Sequence, residues 1–411
     1  MRTQRLGDLG SATDVLRAVA DGARRHRRPG PAALVGEWFG AGAVIAPSVD
    51  VQPVAPADVF DVPAARSGDG VGGGWIGYLS YPDPGADGAP PRIPEAAGGW
   101  TDCVLRLDAD GCWWFDSLSG AGPPGWLNAA LAGPVRHRPC DIDWQVPDFG
   151  THRAGVLSCL EAIRAGEIYQ ACVCTQFTGK TSGSPLDFFA DAAARTNPAR
   201  GAFLSGAWGA VASLSPELFL RRSGEGVTSS PIKGTLPSHA DPARLLASAK
   251  DVAENIMIVD LVRNDLGRVS TTGSVTVPEL LAVRPAPGVW HLVSTVSARV
   301  PVGVGNSALL DAAFPPASVT GTPKIRARQL LSGWEPRRRG IYCGAIGLAS
   351  PVAGCELNVA IRTVEFDAAG NAVLGVGGGI TADSDPDAEW QECLDKAASI
   401  VDHSRARSTA S

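Results

Sequence analysis

The chain has 411 residues, 45% of them apolar and 19% charged, with eleven tryptophans; this is the composition of a globular protein and excludes a disordered or fibrous one. The formal net charge is -6, with basic runs only at Arg24 to Arg28 and Arg337 to Arg339, so nucleic acid is not an expected partner. No apolar stretch approaches the ~20 residues of a membrane span and the N-terminus lacks a signal peptide's apolar core, so no membrane contact and a cytoplasmic location are expected.

Residues 1–148 are rich in Pro, Gly and Ala, with strand-like pieces at Ala43 to Ile45, Gly74 to Leu79, Cys103 to Leu107 and Cys112 to Phe115. No catalytic constellation is visible there. From Asp148 the texture changes to alternating strands and capped helices, beginning with a helix over Leu157 to Ala165 and an extended run over Tyr169 to Phe177. The chemistry is expected within 149–403, and 404–411 reads as a disordered tail. Nine cysteines lie in no CxxC pair. Cys172 and Cys174 would share a strand face, but without His or further Cys nearby they make no zinc site and read as buried thiols.

Three helices matter. The first spans Ser248 to Val262, with Val252, Ile256 and Val259 as its buried stripe, Glu254 on a neighbouring face and Gly267 as a stop. The second starts with Thr322 as cap and Pro323 at the first position, with Gly333 beyond its end. The third begins near Ser384 or Asp385. Its apolar stripe of Trp390, Leu394, Ala397 and Val401 runs beside a polar stripe of Glu389, Glu392 and Lys396.

Glu254, Glu389 and Glu392 thus stand next to buried stripes rather than opposite them. With no His or Cys ligand set nearby, they read either as solvated helix faces or as an all-oxygen shell for a hard cation, Mg²⁺ or Mn²⁺. Ser230 to Thr235 and Gly375 to Ile380 are glycine-dense and read as tight turns or as backbone cradles for an anion; no GxxxxGK[ST] phosphate loop is present. Glu217, His291, Tyr342 and Arg362 are polar groups with possible chemistry, each in isolation more often structural. Alternation over Asn358 to Thr363 puts Arg362 on a strand face opposite Val359 and Ile361.

Of the 36 basic residues only five are lysine: Lys180, Lys233, Lys250, Lys324 and Lys396. A chain so biased to Arg marks each surviving Lys as a place where a primary amine or compact charge is needed.

Taken in order, EIYQACVCTQF (167–177), SPELFL (215–220), SPIKGTLP (230–237), AKDVAENIMIVDLVRNDLGRV (249–269), WHLVSTV (290–296), FPPASVTGTPKIRA (314–327), RRRGIYCGAIG (337–347), LNVAIRT (357–363) and GGGITADSDPDAEWQECLDKA (377–397) resemble the chorismate-utilising enzymes, the family of anthranilate synthase component I, aminodeoxychorismate synthase component I and the isochorismate and salicylate synthases. GGWIGYLSY (73–81) suggests that the N-terminal portion begins the same fold. The resemblance implies an α+β class with large antiparallel sheets in a sandwich and helices packed outside.

It also implies roles. Glu254 and Glu392, with Glu389 beside them, look like ligands of Mg²⁺, which would hold the ring carboxylate of chorismate; Lys396 and the backbone of Gly377, Gly378 and Gly379 look like further anchors. Arg362 and Tyr342 resemble the residues that hold the enolpyruvyl carboxylate. Glu217 looks like the general acid for the departing C4 hydroxyl, and His291, Thr320, Gly234 and Thr235 line the same pocket. Salicylate and isochorismate synthases carry a water-activating Lys where this chain has Gln170, which argues against hydration. Anthranilate synthases typically have PIAGT where this chain has PIKGT, and an amine at Lys233 can attack C2 and direct ammonia to C4. The expectation is therefore C4 amination, with ammonia from a separate glutamine amidotransferase subunit; C2 amination and a non-catalytic chorismate-binding subunit are the alternatives. A nucleophilic Lys233 requires partial deprotonation, expected of a desolvated site near other cations. Three departures from the family pattern stand out: Pro316 in FPPAS where FPGGS is usual, Thr322 for an Ala, and Leu218 for a basic residue.

Overall fold

A computed structural model describes residues 1–63, 70–83 and 88–408, with the side chains of 402–408 outside the description. Every strand pairing among the described residues is antiparallel. A 12-stranded sheet runs from Arg2–Gly7 at one edge, through Ala32–Trp38, Arg200–Gly206, Gly209–Ser215, Thr363–Asp367 and Asn371–Ile380, to Gln170–Ser182 and Gly321–Thr322. A 10-stranded sheet carries Ile232–Pro237, Val289–Arg299, Leu218–Ser223, Gly354–Val359, Ala345–Ser350 and Gly74–Leu79.

The two sheets face each other. Their shared core joins Cys172 and Cys174 of one sheet to Phe219, Leu220, Val296 and Leu357 of the other. A second patch joins Leu34 and Val44 to Ile76, Tyr78, Ile346 and Leu348. Strand side chains alternate between faces, so Ala171 and Val173, between and beside those cysteines, point the other way, into a cluster with Val156 and Leu160 of helix Phe149–Arg164 and Ala327 and Leu331 of helix Lys324–Trp334. All nine cysteines are free thiols, eight of them buried.

The N-terminal portion is woven into both sheets. Gly74–Leu79 pairs with Ala345–Ser350, and Val15, Leu16 and Val19 share one core with Cys393, Ala397, Ile400 and Val401 of the last helix. Trp38 is completely buried, its indole N–H bonded to the carbonyls of Val35 and Gly201, with the Arg200 guanidinium 5.5 Å from the ring centroid. No helix among the described residues is long and apolar enough to cross a membrane.

Several local expectations are corrected. The helix expected from Leu157 starts at Phe149, where Asp148 caps it by accepting from Thr151 N–H. The helix of Glu254 spans Ala249–Gly267, capped by Ser248, and its last residue is Gly267. Ile256 is 40% exposed, while Ile258, Val259, Val262 and Leu266 form the buried stripe. Polar Glu254 and Asn255 take inward positions because they bind partners there. Thr322 does not cap: it belongs to the short strand Gly321–Thr322, and the helix Lys324–Trp334 follows Pro323 and contains Gly333. The last helix is Pro386–Ser408, and residues 409–411, the end of the expected tail, lie outside the described residues.

Candidate functional site

The glycine run Gly375 to Ile380 is not a turn but the end of strand Asn371–Ile380, paired with Gln170–Ser182 so that Cys174, Val173 and Cys172 oppose Gly377, Gly378 and Gly379. Pleating aims successive positions at opposite faces. Gly379 faces the inter-sheet side, where an added β-carbon would come 2.0 Å from Glu254 Oε1 and 3.1 Å from Lys233 Nζ. Gly378 faces the outer helices, where a β-carbon would come 2.7 Å from Glu389 Oε2. The glycines are what allow acidic groups to close on the strand from both faces.

Lys233 lies on strand Ile232–Pro237, followed by Gly234 at φ +89°, a left-handed conformation that accompanies a register shift between Ile232 and Thr235. Its Nζ is 2.5 Å from Glu254 Oε1, with the two side chains 12% and 8% exposed. Asn255 anchors the acid's helix by donating to Leu292 O and accepting from the Ser294 hydroxyl. Burial works to lower the lysine's pKa, but Glu254, the Cys172 thiol and Glu217 outweigh it and hold the ammonium above its ordinary value. Expectation is corrected here: the site is desolvated, yet Lys233's nearest partner is a carboxylate, not a cation.

Two further lysine–carboxylate pairs surround it. Lys250 Nζ is 2.9 Å from Glu389 Oε1, which also accepts from Ser384 at 2.6 Å. Lys396 Nζ is 2.7 Å from Glu392 Oε1 and donates to Gly377 O at 2.8 Å. Lys250 feels Glu389, Glu392 and Glu254 together, so the acids share one electrostatic neighbourhood. Among the described residues no three acidic, His or Cys groups converge tightly enough to hold a metal as they stand. Glu389 is 2% exposed rather than on an open helix face, and its Oε2 is buried without a hydrogen-bond partner.

Glu217 is 3% exposed. Burial pushes its carboxyl up to about 7, against opposing hydrogen bonds from Ser318 and the Ile232 N–H and the charge of Lys233. Thr235 and His291 are register partners whose Oγ1 and Nδ1 lie 2.8 Å apart. Burial, helped by Arg362, lowers His291 to about 4, so its imidazole is neutral at pH 7, with Nε2 buried and unpartnered. Arg362 is not on a strand face but at the corner between Gly354–Val359 and Thr363–Asp367, at φ +50°. Among the described residues it makes no ion pair, and burial lowers its pKa.

Gln170 is 1% exposed with Oε1 unpartnered, beside Thr322 in register. Thr320 is fully buried, donating to Pro316 O. Tyr342 packs its ring over Gly375 and lines a neighbouring cavity of about 230 Å³ with His152, Gln176 and Arg339. The structure thus gathers Lys233, Glu254, Glu217, Thr235, His291 and Gly379 around one end of the glycine strand, flanked by the Glu389 and Glu392 pairs. Lys250, Ser318 and Ser384 were not assigned roles from sequence; the rarity of lysine singled out only the first.

Residues 128–402 match the chorismate binding enzyme family. The chain is 43% identical over 287 residues to aminodeoxychorismate synthase component 1 of Escherichia coli, an alignment covering 67% of this chain and 62% of that protein. It is 36% identical over 357 residues to an aminodeoxychorismate synthase of Streptomyces pristinaespiralis, covering 79% of this chain and 50% of that one. The matches therefore span between half and two thirds of these relatives' lengths. Among solved structures, anthranilate synthase component I of Streptococcus pneumoniae superposes with a TM-score of 0.72 at 25% identity, covering 91% of this chain and 90% of that one. The menaquinone-specific isochorismate synthase of Escherichia coli superposes at 0.71 with 18% identity, covering 97% and 94%, a likeness of fold. The chain belongs to the chorismate binding enzyme family.

Proposed function

We propose that the chain is the synthase subunit of an aminodeoxychorismate synthase, converting chorismate and ammonia to 4-amino-4-deoxychorismate for p-aminobenzoate and folate synthesis. The observation that carries this reading is Lys233 itself: a primary amine sealed between Glu254 and Glu217, on a strand whose sequence is PIKGT.

In this reading Arg362, free of a protein carboxylate, binds one carboxylate of chorismate, and neutral His291 lines the ring without adding charge. Lys233 Nζ attacks C2 once a proton leaves it, and Glu254 Oε1 at 2.5 Å lies on that proton's path. The double bond shifts, the C4–O bond breaks and protonated Glu217 gives its proton to the departing hydroxyl, which leaves as water. Ammonia adds at C4, the double bond returns and the C2–N bond to Lys233 breaks. Gln170 offers a neutral amide where a water-activating amine would favour hydration.

Glu254, Glu389 and Glu392 are hard oxygen donors, and the unpartnered Glu389 Oε2 is a group a cation would satisfy, so by donor chemistry, though not by their present spacing, they suit Mg²⁺. These acids would hold Mg²⁺, whose positive charge would receive the substrate's ring carboxylate. Ammonia is delivered by a glutamine amidotransferase subunit, in keeping with the name component 1 borne by the Escherichia coli relative. The rival reading is amination at C2, since an anthranilate synthase component 1 of Streptomyces coelicolor is 37% identical over 250 residues.

The test is Lys233→Ala. It should abolish 4-amination, as loss of a covalent nucleophile does, while chorismate still binds by calorimetry; undiminished turnover would refute the reading.

A further inference from the structure

Glu217 poses a supply problem. If it protonates the leaving hydroxyl, it must regain a proton in every cycle, and at 3% exposure it meets very little solvent directly. It does line a cavity of about 10 Å³, room for roughly one water, together with Ser229, Ser318 and Asp265. Asp265, 5% exposed, also lines a separate outer groove of about 590 Å³, beside Asn264, Arg268 and Lys324. Asp265 is the acidic residue common to the two spaces. Lys324 fixes it there, with Nζ 2.6 Å from Asp265 Oδ2 and 2.9 Å from Ala313 O.

We propose that Asp265 reloads Glu217 with protons drawn from the outer groove, relayed across the small cavity past Ser229. The proposal rests on the reading of Glu217 as general acid. After the C4–O bond breaks, the Glu217 carboxylate takes a proton from a water in the cavity, that water takes one from the Asp265 carboxyl, and Asp265 takes one from solvent in the groove. The nitrogen sheds a proton as ammonia becomes the neutral amine, so the cycle consumes none overall. The charged group acting on Glu217 is Lys233, while Asp265 lines the same cavity; the charged groups acting on Asp265 are Lys324 and Arg268. Burial raises the Asp265 carboxyl above its ordinary value despite Lys324 and Arg268, which suits a group that must hold a proton for part of each cycle.

The experiment separates the first turnover from later ones by rapid quench with chorismate, Mg²⁺ and ammonium. Enzyme equilibrated at pH 6.5 starts with Glu217 loaded, so Asp265→Asn should keep its first-turnover rate within about twofold, lose about tenfold or more in steady state, and recover when imidazole buffer supplies a small proton donor. Ser229→Val, which fills the cavity and leaves the Asp265–Lys324 pair intact, should show the same split. Equal losses in first and later turnovers without recovery in imidazole would assign Asp265 a structural role and overturn the proposal. So would wild-type steady-state rates in either variant, and Ser229→Val decides alone if Asp265→Asn fails to fold. Glu217→Gln keeps the two failures apart: full first-turnover activity there would sink the general-acid reading itself.

Discussion

Lys233 and Glu254 meet at 2.5 Å over Gly379, which has no side chain to separate them. A β-carbon on Gly379 would sit 2.0 Å from the acid oxygen, so Gly379→Ala must push Glu254 or Lys233 aside. A displacement of about 1 Å at a reacting group costs roughly 10²-fold in rate. Gly379→Ala should therefore lower kcat/KM by about that factor with its circular dichroism unchanged; wild-type kinetics would show that the contact is not part of the machinery.

Lys233 should be detectable as a covalent partner. With chorismate and Mg²⁺ but no ammonia, intact-mass analysis should find protein heavier by chorismate less one water, mapping to the peptide that holds Lys233, and Lys233→Arg should show none. An adduct on any other lysine would reassign the nucleophile.

Glu217 makes a paired prediction in pH. Its carboxyl is raised to about 7 from an ordinary 4.5, and under the proposed general-acid role the protonated form is the working one, so turnover should fall as pH rises through about 7. The sign for stability runs the same way: between pH 4.5 and 7 the folded chain holds a proton that the unfolded chain has released, so stability drops as pH rises across that window. The loss is at most about 3 kcal/mol. Glu217→Gln should abolish turnover and melt higher than wild type at pH 8, with a smaller difference at pH 5. A mutant no more stable at pH 8 would contradict the burial argument.

His152 and His291 are both lowered to about 4, His152 by burial and His291 by burial and Arg362. The unfolded chain binds protons at these positions near 6.5 while the folded chain does not, so their share of stability is present above that pH and lost as pH falls toward 4. Acid titration followed by tryptophan fluorescence should show cooperative unfolding in this range, shifted to lower pH in His152→Phe. An unshifted midpoint would count against the buried neutral imidazole; Nδ1 of His152 has no partner to lose.

Much of this site is legible in residue order. Blocks around Glu217, Lys233, Glu254 and Gly379 hold residues that the sheets bring together, because local sequence specifies the strands and helices that carry them. What sequence periodicity misses is which face a side chain joins. Glu389 and Glu392 share a helix stripe, yet Glu389 is turned inward against Gly378 and Ser384, since an acid with hydrogen-bond partners can occupy a buried position that apolar patterning assigns elsewhere. Arg362 reads as a strand residue because its neighbours alternate, but the chain turns there in a left-handed corner set by the pairing of both flanking strands. The glycine run reads as a turn because glycine usually punctuates; here it is a strand whose missing side chains make room for acids. Lys233's carboxylate partner lies 21 positions along the chain, in another element, and only the folded sheet brings the two together.

The most direct measurement is the identity of the product formed from chorismate, Mg²⁺ and an ammonium salt by the purified chain without any partner, resolved by chromatography and mass spectrometry. The account predicts 4-amino-4-deoxychorismate. Anthranilate or isochorismate as the main product would contradict it.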